Sequence, residues 1–487
     1  MKSFENCTVA VVGAGAMGVG IALVGASAGH AVVVIDVDSD ALKRGSKQLA
    51  ESLDTAVAKR RISQYDRDQI WSSISWTSDL NDSARAFLVV EAIIERMDAK
   101  QALFRAIEPL VAENAILASN TSSLSIDVIG SSIGRAERFL GLHFFNPVPA
   151  MILVEVVAGS KTDINVANAA VRLMESWGKT AVRARDVPGF IVNRVARPYY
   201  SEAFAALSDG VMPEVVDAAM TQAASFRMGP LELADLIGHD VNYAVARSVH
   251  EAGFGTTRFQ PQPAQALLVE RGHLGRKSGR GVYLYDAPLL KPARAARGRR
   301  PSTLASSGAR LLAPLVEQAE RVGFLSSTTV AGGPETLVAD ETVMALGDGR
   351  TLAARPSVDV LIDHVRDFSH PGIMILTARS SEHAQAALGF FGAIGRTALL
   401  TPDRPGQLVL RTLAQLANAA ADAVVERVAS EADVEAAMKL GANHPEGPLA
   451  GAGRVGHDWL RQSLRNLASA TNSTLYNPSS FFEGSDR

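Results

Sequence analysis

Apolar residues come as short β-branched runs early in the chain and as long Ala-rich stretches later. Val9–Val12 is a short apolar run. It leads into the turn Gly13-Ala14-Gly15-Ala16-Met17-Gly18, a helix-compatible stretch to Ala28, Gly29, and a second apolar run, Ala31–Ile35, ending at Asp36. This reads as β–turn–α–β, with strands apolar on both faces as a parallel sheet requires. Phe87–Val90, Ile116–Ser119 and Phe139–Phe144 are further buried-strand candidates. A helical or polar segment separates each from the next, the rhythm of a doubly wound α/β sheet.

After about Asp186 the pattern predicts helices over Ile191–Leu207, Met212–Thr221, Leu231–Ala252 and Pro263–Gly272. This all-α block closes at Gly281-Val282-Tyr283-Leu284-Tyr285. A basic stretch follows, with Lys291, Arg294, Arg297, Arg299, Arg300 and Arg310 and no acidic residue between Asp286 and Glu317. It reads as a flexible linker, because no aromatic residues are interleaved as a nucleic-acid surface needs.

The helical block is repeated. Asp186-Val187-Pro188-Gly189 returns as Asp403-Arg404-Pro405-Gly406, and Ala218-Ala219-Met220 as Ala436-Ala437-Met438. Gly229-Pro230-Leu231 returns as Gly447-Pro448-Leu449, and Gly238-His239-Asp240 as Gly456-His457-Asp458, at an offset of 217–218 residues throughout. The segment ahead of the second block is too short for a full copy of the first sheet. Its Gly347-Asp348-Gly349 lacks a third glycine and reads as a hairpin turn between Val343–Leu346 and Thr351–Ala353.

Composition narrows the classes. The 487 residues are 47% hydrophobic and 20% charged, which excludes overall disorder and allows about three domains. A net charge of −3 argues against a general polyanion binder, so no nucleic-acid partner is expected. The single cysteine, Cys7, excludes a disulfide scaffold or a cysteine-rich metal site. No run is long enough for a membrane span, and Met1–Thr8 lacks a signal-peptide core; a cytoplasmic protein is expected.

Gly13, Gly15 and Gly18 gain meaning from their place between a strand and a helix, with the acidic Asp36 closing the next strand. That is a dinucleotide fingerprint: a tight turn, a close backbone approach to the pyrophosphate, and free helix N–H donors for phosphate. Asp36 would accept from the ribose hydroxyls and repel a 2′-phosphate, favouring NAD over NADP. Of ten histidines, His143 stands out. It ends a predicted buried strand, where open α/β sheets bind ligands. Glu155 lies twelve residues on, between apolar β-branched neighbours, where a carboxylate needs a partner. A His–Glu pair meets that need; a buried structural ion pair is the alternative. Asn120-Thr121-Ser122-Ser123 follows a strand as well, offering hydroxyls to a substrate oxygen, or Ser123 as a helix cap.

Together these residues resemble the 3-hydroxyacyl-CoA dehydrogenase family. The motifs that carry the resemblance are Ser119-Asn120-Thr121-Ser122-Ser123, Gly141-Leu142-His143-Phe144-Phe145-Asn146-Pro147-Val148-Pro149 and Pro188-Gly189-Phe190-Ile191-Val192-Asn193-Arg194. It covers residues 5–285, with 403–470 as a second copy of the helical domain. The resemblance implies NAD-dependent oxidation of an L-3-hydroxyacyl-CoA, with no metal. It implies His143 as base, Glu155 as its partner, and Ser122 and Asn193 on the substrate oxygens. Gly13, Gly15, Ala16, Met17, Gly18, Asp36, Glu95, Lys100, Ser122, Asn146 and Lys277 are implied NAD contacts, and Lys59, with Arg60 and Arg61, a coenzyme A contact. The implied fold is a Rossmann-type doubly wound sheet (1–185), an all-α domain (186–286), a linker (287–330), a small degenerate α/β segment (331–402) and a second all-α copy (403–487).

The wording around Arg197 resembles the 3-hydroxyadipyl-CoA dehydrogenases of phenylacetate degradation, whose substrate ends in a second carboxylate. Arg197 would recognise it; pairing with Glu202, or solvent, is the alternative. A short-chain substrate such as 3-hydroxybutyryl-CoA, or a non-catalytic NAD-binding role, are the other readings. In the second copy Leu410 replaces Asn193 and Gln407 replaces Phe190, so one active site per chain is expected. The copy is expected to pack on the first as a pseudo-dimer, with whole-chain homodimers left open.

Overall fold

The structure is a computed structural model that describes residues 7–252, 257–292, 298–307, 310–324, 326–328, 335–370 and 372–486. It divides into two compact units, 1–193 with 426–442, and 194–425 with 443–487.

The first unit is built on an eight-stranded sheet: β1 (Thr8–Val12), β2 (Ala31–Ile35), β3 (Ile74–Thr77), β4 (Ala86–Glu91), β5 (Ile116–Ser119), β6 (Phe139–Phe144), β7 (Leu153–Ala158) and β8 (Thr180–Arg185), in the order β3-β2-β1-β4-β5-β6-β7-β8. All neighbours run parallel except β6 and β7. The expected strands are present to within a residue at each end. The pattern does not predict the strands Ile74–Thr77 and Thr180–Arg185, whose alternating polar residues break the apolar run, nor Leu153–Ala158, which Glu155 interrupts. The helices are α1 (Ala16–Ser27), α2 (Ser39–Ala58), α3 (Gln64–Ser72), α4 (Met97–Ile107), α5 (Ile126–Gly130) and α6 (Ile164–Ser176). Apolar side chains such as Val9, Val11, Ile21, Leu88 and Leu173 fill the core between them and the sheet.

The expected helices of the first block break where the backbone forces it. They appear as α7 (Val192–Val195), α8 (Arg197–Ser208), α9 (Pro213–Ala218), α10 (Pro230–Ile237), α11 (His239–Ala252) and α12 (Pro263–Glu270). Gly238, at φ +101°, separates α10 from α11, and Gly456, at φ +97°, repeats the break in the second copy. Only glycine takes that conformation cheaply.

Among its described residues the segment expected as a linker, 287–330, is folded. It contains β9 (Leu304–Ser307), α13 (Ala313–Arg321) and β10 (Ser326–Thr328). These belong to a seven-stranded sheet with β11 (Thr336–Ala339), β12 (Thr342–Leu346), β13 (Val360–Ile362), β14 (Ile373–Ala378) and β15 (Thr397–Leu400), in the order β10-β9-β11-β12-β13-β14-β15. The cation of Arg300 lies on Phe324 and donates to Val322 O, so it is spent within the fold. Arg294 and Arg297 lie outside the described residues. The hairpin expected around Gly347 is elsewhere. β12 turns back on β11 through Asp340, while Leu352 N and Ala353 N donate to the Asp403 carboxylate.

The remaining helices are α14 (Ser381–Ala393), α15 (Val409–Val425), α16 (Glu431–Gly441), α17 (Pro448–Val455) and α18 (His457–Thr471). Within the second unit α15 packs on α8, joined by the buried pair Arg411–Glu202 (2.6 Å) and by Arg404–Asp209 (2.9 Å). One exchange explains the unit boundaries. α16, from the second helical copy, covers β7 and β8 of the first sheet, where Arg185 N donates to Val428 O (2.8 Å). The matching segment of the first copy, the π-helical turn Ala219–Ala223, lies against β14 of the second sheet.

Candidate active site

The glycine turn is shaped for a ligand. A Cβ on Gly13, at φ +113°, would strike Ala92 O, and one on Gly18 would strike Gly13 O. Gly15 has open space where its Cβ would lie, and no side chain caps the N-terminus of α1 above it. Gly15 and Ala16 are exposed and Met17 is half-buried. Asp36 accepts from Ala14 N (2.7 Å) and Asp38 N (2.9 Å), which fixes its carboxylate beside the loop. An uncapped helix end, a floor with no side chains and a carboxylate at the second strand end fit the pyrophosphate and ribose of a dinucleotide.

His143 and Glu155 lie directly opposite each other in the antiparallel β6–β7 pair, with Nδ1 2.5 Å from Oε2. Both are buried. Phe145 and Phe190 flank the imidazole at centroid distances of 4.5 and 5.7 Å. The other carboxylate oxygen, Oε1, accepts from Ile191 N (3.0 Å) and Val192 N (2.9 Å). One carboxylate therefore orients the imidazole and anchors the start of α7, which carries Asn193. With Nδ1–H given to Glu155, Nε2 keeps its lone pair for a substrate proton.

Ser122 sits in a turn organised by Glu95. Glu95 Oε1 accepts from Thr121 Oγ1 (2.6 Å), Ser122 N (3.0 Å) and Ser123 Oγ (3.0 Å). Burial would raise the Glu95 carboxyl, but the Lys100 ammonium and these donors outweigh it and hold it below its usual value. Ser123 is not the helix cap; Ser125 is, accepting from Val128 N. The Ser122 hydroxyl makes no hydrogen bond among the described residues. Lys100 is 1% exposed and lies 2.5 Å from Glu91 and 3.2 Å from Glu95. Its reach is inward, so it supports Glu95 rather than presenting its ammonium to a cleft. Glu91 also accepts from Ser119 Oγ (2.6 Å). Sequence reasoning missed Glu91, whose signal was a carboxylate ending an otherwise apolar strand.

The other named residues are placed as follows. Asn146 is exposed on the loop after β6, Asn193 is half-buried, and Lys59, Arg60 and Arg61 are exposed at the end of α2. Lys277 belongs to the second unit, where its ammonium is 2.5 Å from Asp240. Arg197, also in the second unit, is buried and does not pair with Glu202, which Arg411 holds. Its guanidinium lies over Tyr200 (4.9 Å), with only long contacts to Asn242, 3.4–3.5 Å. Its Nε has no partner. No carboxylate pairs with it among the described residues, and burial lowers its pKa. With Tyr200, Asn242 and Gln265 it lines a small cavity of about 20 Å³.

The second sheet carries the site's counterpart, stripped of chemistry. Val360 faces Ala378 as Leu140 faces Ala158, a constant displacement of 220 residues. Asp363 then stands at the His143 position and Ile375 at that of Glu155, and Asp363 N bonds Ile375 O. The Asp363 carboxylate accepts from Leu408, Val409 and Leu410 N at 2.7–3.0 Å, so it anchors α15 as Glu155 anchors α7. Phe190 and Gln407 keep the same left-handed backbone, φ +47° and +52°.

Family models agree with this geometry. Residues 8–187 match the 3-hydroxyacyl-CoA dehydrogenase NAD binding domain, and residues 189–285 and 406–485 match the C-terminal domain of that family. The chain belongs to the 3-hydroxyacyl-CoA dehydrogenase family. It is an NAD-dependent oxidoreductase of 3-hydroxyacyl-CoA thioesters. It is 39% identical to the 3-hydroxyadipyl-CoA dehydrogenase of Escherichia coli K12, over 97% of this chain and 96% of that one. The crystal structure of a 3-hydroxybutyryl-CoA dehydrogenase from Escherichia coli K12 superposes with a TM-score of 0.90 at 37% identity, covering 98% of both chains. A probable 3-hydroxybutyryl-CoA dehydrogenase of Bacillus subtilis is 40% identical over 57% of this chain and 97% of its own. Among the described residues no helix is long and apolar enough to cross a membrane.

Proposed function

We propose that this dehydrogenase oxidises a 3-hydroxyacyl-CoA whose acyl chain ends in a second carboxylate, 3-hydroxyadipyl-CoA being the fitting example. His143 Nε2 takes the proton of the 3-hydroxyl, and Glu155 balances the imidazolium charge that results. The Ser122 hydroxyl and the Asn193 amide hold the substrate's oxygens. The Gly13–Gly18 turn, Asp36 and Asn146 hold NAD, which when bound supplies the hydride acceptor. Glu95 and Lys100 keep the Ser122 turn in place.

The observation that carries the substrate choice is Arg197: a buried guanidinium with an unpartnered Nε, lining a cavity, and no carboxylate on it among the described residues. A buried cation without a counter-ion is costly, and a ligand carboxylate would meet it with a bidentate fork. The full-length likeness to a relative named for 3-hydroxyadipyl-CoA supports the same choice. The test is kcat/KM for 3-hydroxyadipyl-CoA and 3-hydroxybutyryl-CoA in the parent and in Arg197→Met. The parent should prefer the dicarboxylic thioester. The variant should lose about a hundredfold on it, against less than about threefold on the butyryl substrate. Equal losses, or a parent that prefers butyryl, would refute the assignment.

We also infer that the second helical copy takes the place of a partner subunit. The α8–α15 contact, with its Glu202–Arg411 pair, supports this.

A further inference from the structure

The degenerate second copy still encloses a cleft at the place where its catalytic residues have been lost. Two compartments meet there, both within the second unit. One is polar, about 600 Å³, and lined by Arg310, Arg366 and Arg396. The other is narrow and apolar, about 40 Å³, and lined by Phe226, Leu413, Ala414, Ala417 and Trp459. His364, Glu446 and Arg454 border both.

The polar compartment has an excess of cation. Glu446 is committed to Arg454 (2.5 Å). Asp367 is committed to Ser369 and His370 in its own turn. Arg396 donates to Gln318 and Phe368 O, and Arg310 to Val455 O. The Arg366 side chain makes no hydrogen bond among the described residues. None of these three guanidinium groups lies within ion-pair distance of a carboxylate there. At the junction His364 is 3% exposed, yet neither ring nitrogen is hydrogen-bonded among the described residues, and Nδ1 is fully enclosed. Burial and the Arg454 charge push its pKa down to about 3, so it is a neutral imidazole with donor and acceptor unspent. Buried polar groups left unmatched mark a place for a ligand or water.

The internal repeat shows what has changed. Ala414 and Ala417 occupy the positions of Arg197 and Tyr200, 217 residues on, and Arg366 the position of Asn146. Where the first copy has a guanidinium and a phenol the second is aliphatic, and where the first has an amide the second has a guanidinium.

We infer that this cleft is a non-catalytic binding site for an acyl ligand with an anionic head and a saturated tail, the head on Arg366 and the tail among Ala414, Ala417 and Leu413. Asp363 and Ile375 replace the proton-transferring pair, so the ligand is held and not oxidised. The head is either the carboxylate of a free fatty acid or the phosphates of an acyl-CoA.

Trp459 reports on the site, because Trp71, Trp76 and Trp177 all lie in the first unit. The full chain is titrated with octanoate and, separately, with octanoyl-CoA, while tryptophan emission is read. A saturable change should appear, vanish in Trp459→Phe, and weaken about tenfold or more in Arg366→Ala, the loss of one charge-assisted contact. Ala417→Leu, which fills the tail compartment, should weaken it too, and dehydrogenase turnover should be kept in all three variants. A response to octanoyl-CoA alone would assign the head to phosphate. The inference fails if neither ligand gives a saturable change, if the change survives Trp459→Phe, or if Arg366→Ala binds like the parent.

Discussion

Glu155 on β7 and Asp363 just past β13 make the same contact with the fold: each accepts the first amides of the helix that follows its Pro-Gly turn. Only Glu155 has an oxygen left for an imidazole. The two carboxylates therefore separate a structural duty from a catalytic one. Glu155→Gln should lower kcat about a hundredfold or more and leave NADH binding near the parent's, since general-base assistance contributes about 10²–10⁴. Asp363→Asn should leave kcat unchanged and lower stability by about 1–3 kcal/mol, the cost of weakening a buried, multiply bonded acceptor. Steady-state rates, NADH fluorescence and urea unfolding of both variants check this.

Lys100 is the only cation on the buried Glu91 among the described residues and also holds Glu95. In Lys100→Met two carboxylates lose their counter-ion where water does not reach. A loss of about 3–5 kcal/mol is expected, with Glu91→Gln in the same chain restoring part of it. Urea midpoints of the single and double variants measure both.

Asp36, fixed by Ala14 N and Asp38 N, is placed to set cofactor choice. Asp36→Ala should raise KM for NADH about tenfold and bring NADPH within reach, because a hydrogen bond to ribose is lost and a repelling charge removed. Initial rates with both reduced cofactors and acetoacetyl-CoA decide it; an unchanged NADH/NADPH ratio would count against Asp36.

His444 is buried against Phe226 and Tyr199, and burial lowers its pKa to about 3. Between pH 6.5 and 3 the unfolded chain takes up a proton that the folded site refuses. Stability therefore falls with acidification through that window, by up to about 1.4 kcal/mol per pH unit. Asp217 and Asp363, both raised to about 6 by burial, act in the opposite sense, so the parent's own profile is a sum. His444→Gln removes one contribution. Its stability should fall less steeply than the parent's between pH 7.5 and pH 5, read from urea midpoints, and parallel profiles would contradict a neutral buried imidazole.

The dinucleotide turn and His143 were legible because their signals are local: three glycines at fixed spacing after a strand, and a histidine at the end of another. Glu91 and Lys100 were not equally legible, since their pairing depends on α4 folding back over β4. The second sheet was legible only in part, as an α/β segment over 331–402, and its first strands were hidden for a related reason. Strands such as Leu304–Ser307 are short and half serine, and their apolar cover comes from α13 and α14, distant in sequence. The repeat told which residues were copied. It was silent on which sheet each copied helix would cover, because that choice leaves no mark in spacing.

The exchanged helices bear on how far this protein can be trimmed. A chain ended after Tyr285 would keep every residue of the catalytic site and lose α16, leaving Leu153 and its strand neighbours without the surface that shields them. Such a half would be obliged to borrow a helix from another molecule or to aggregate. The non-catalytic half of the polypeptide thus supplies a wall that the catalytic half does not make for itself.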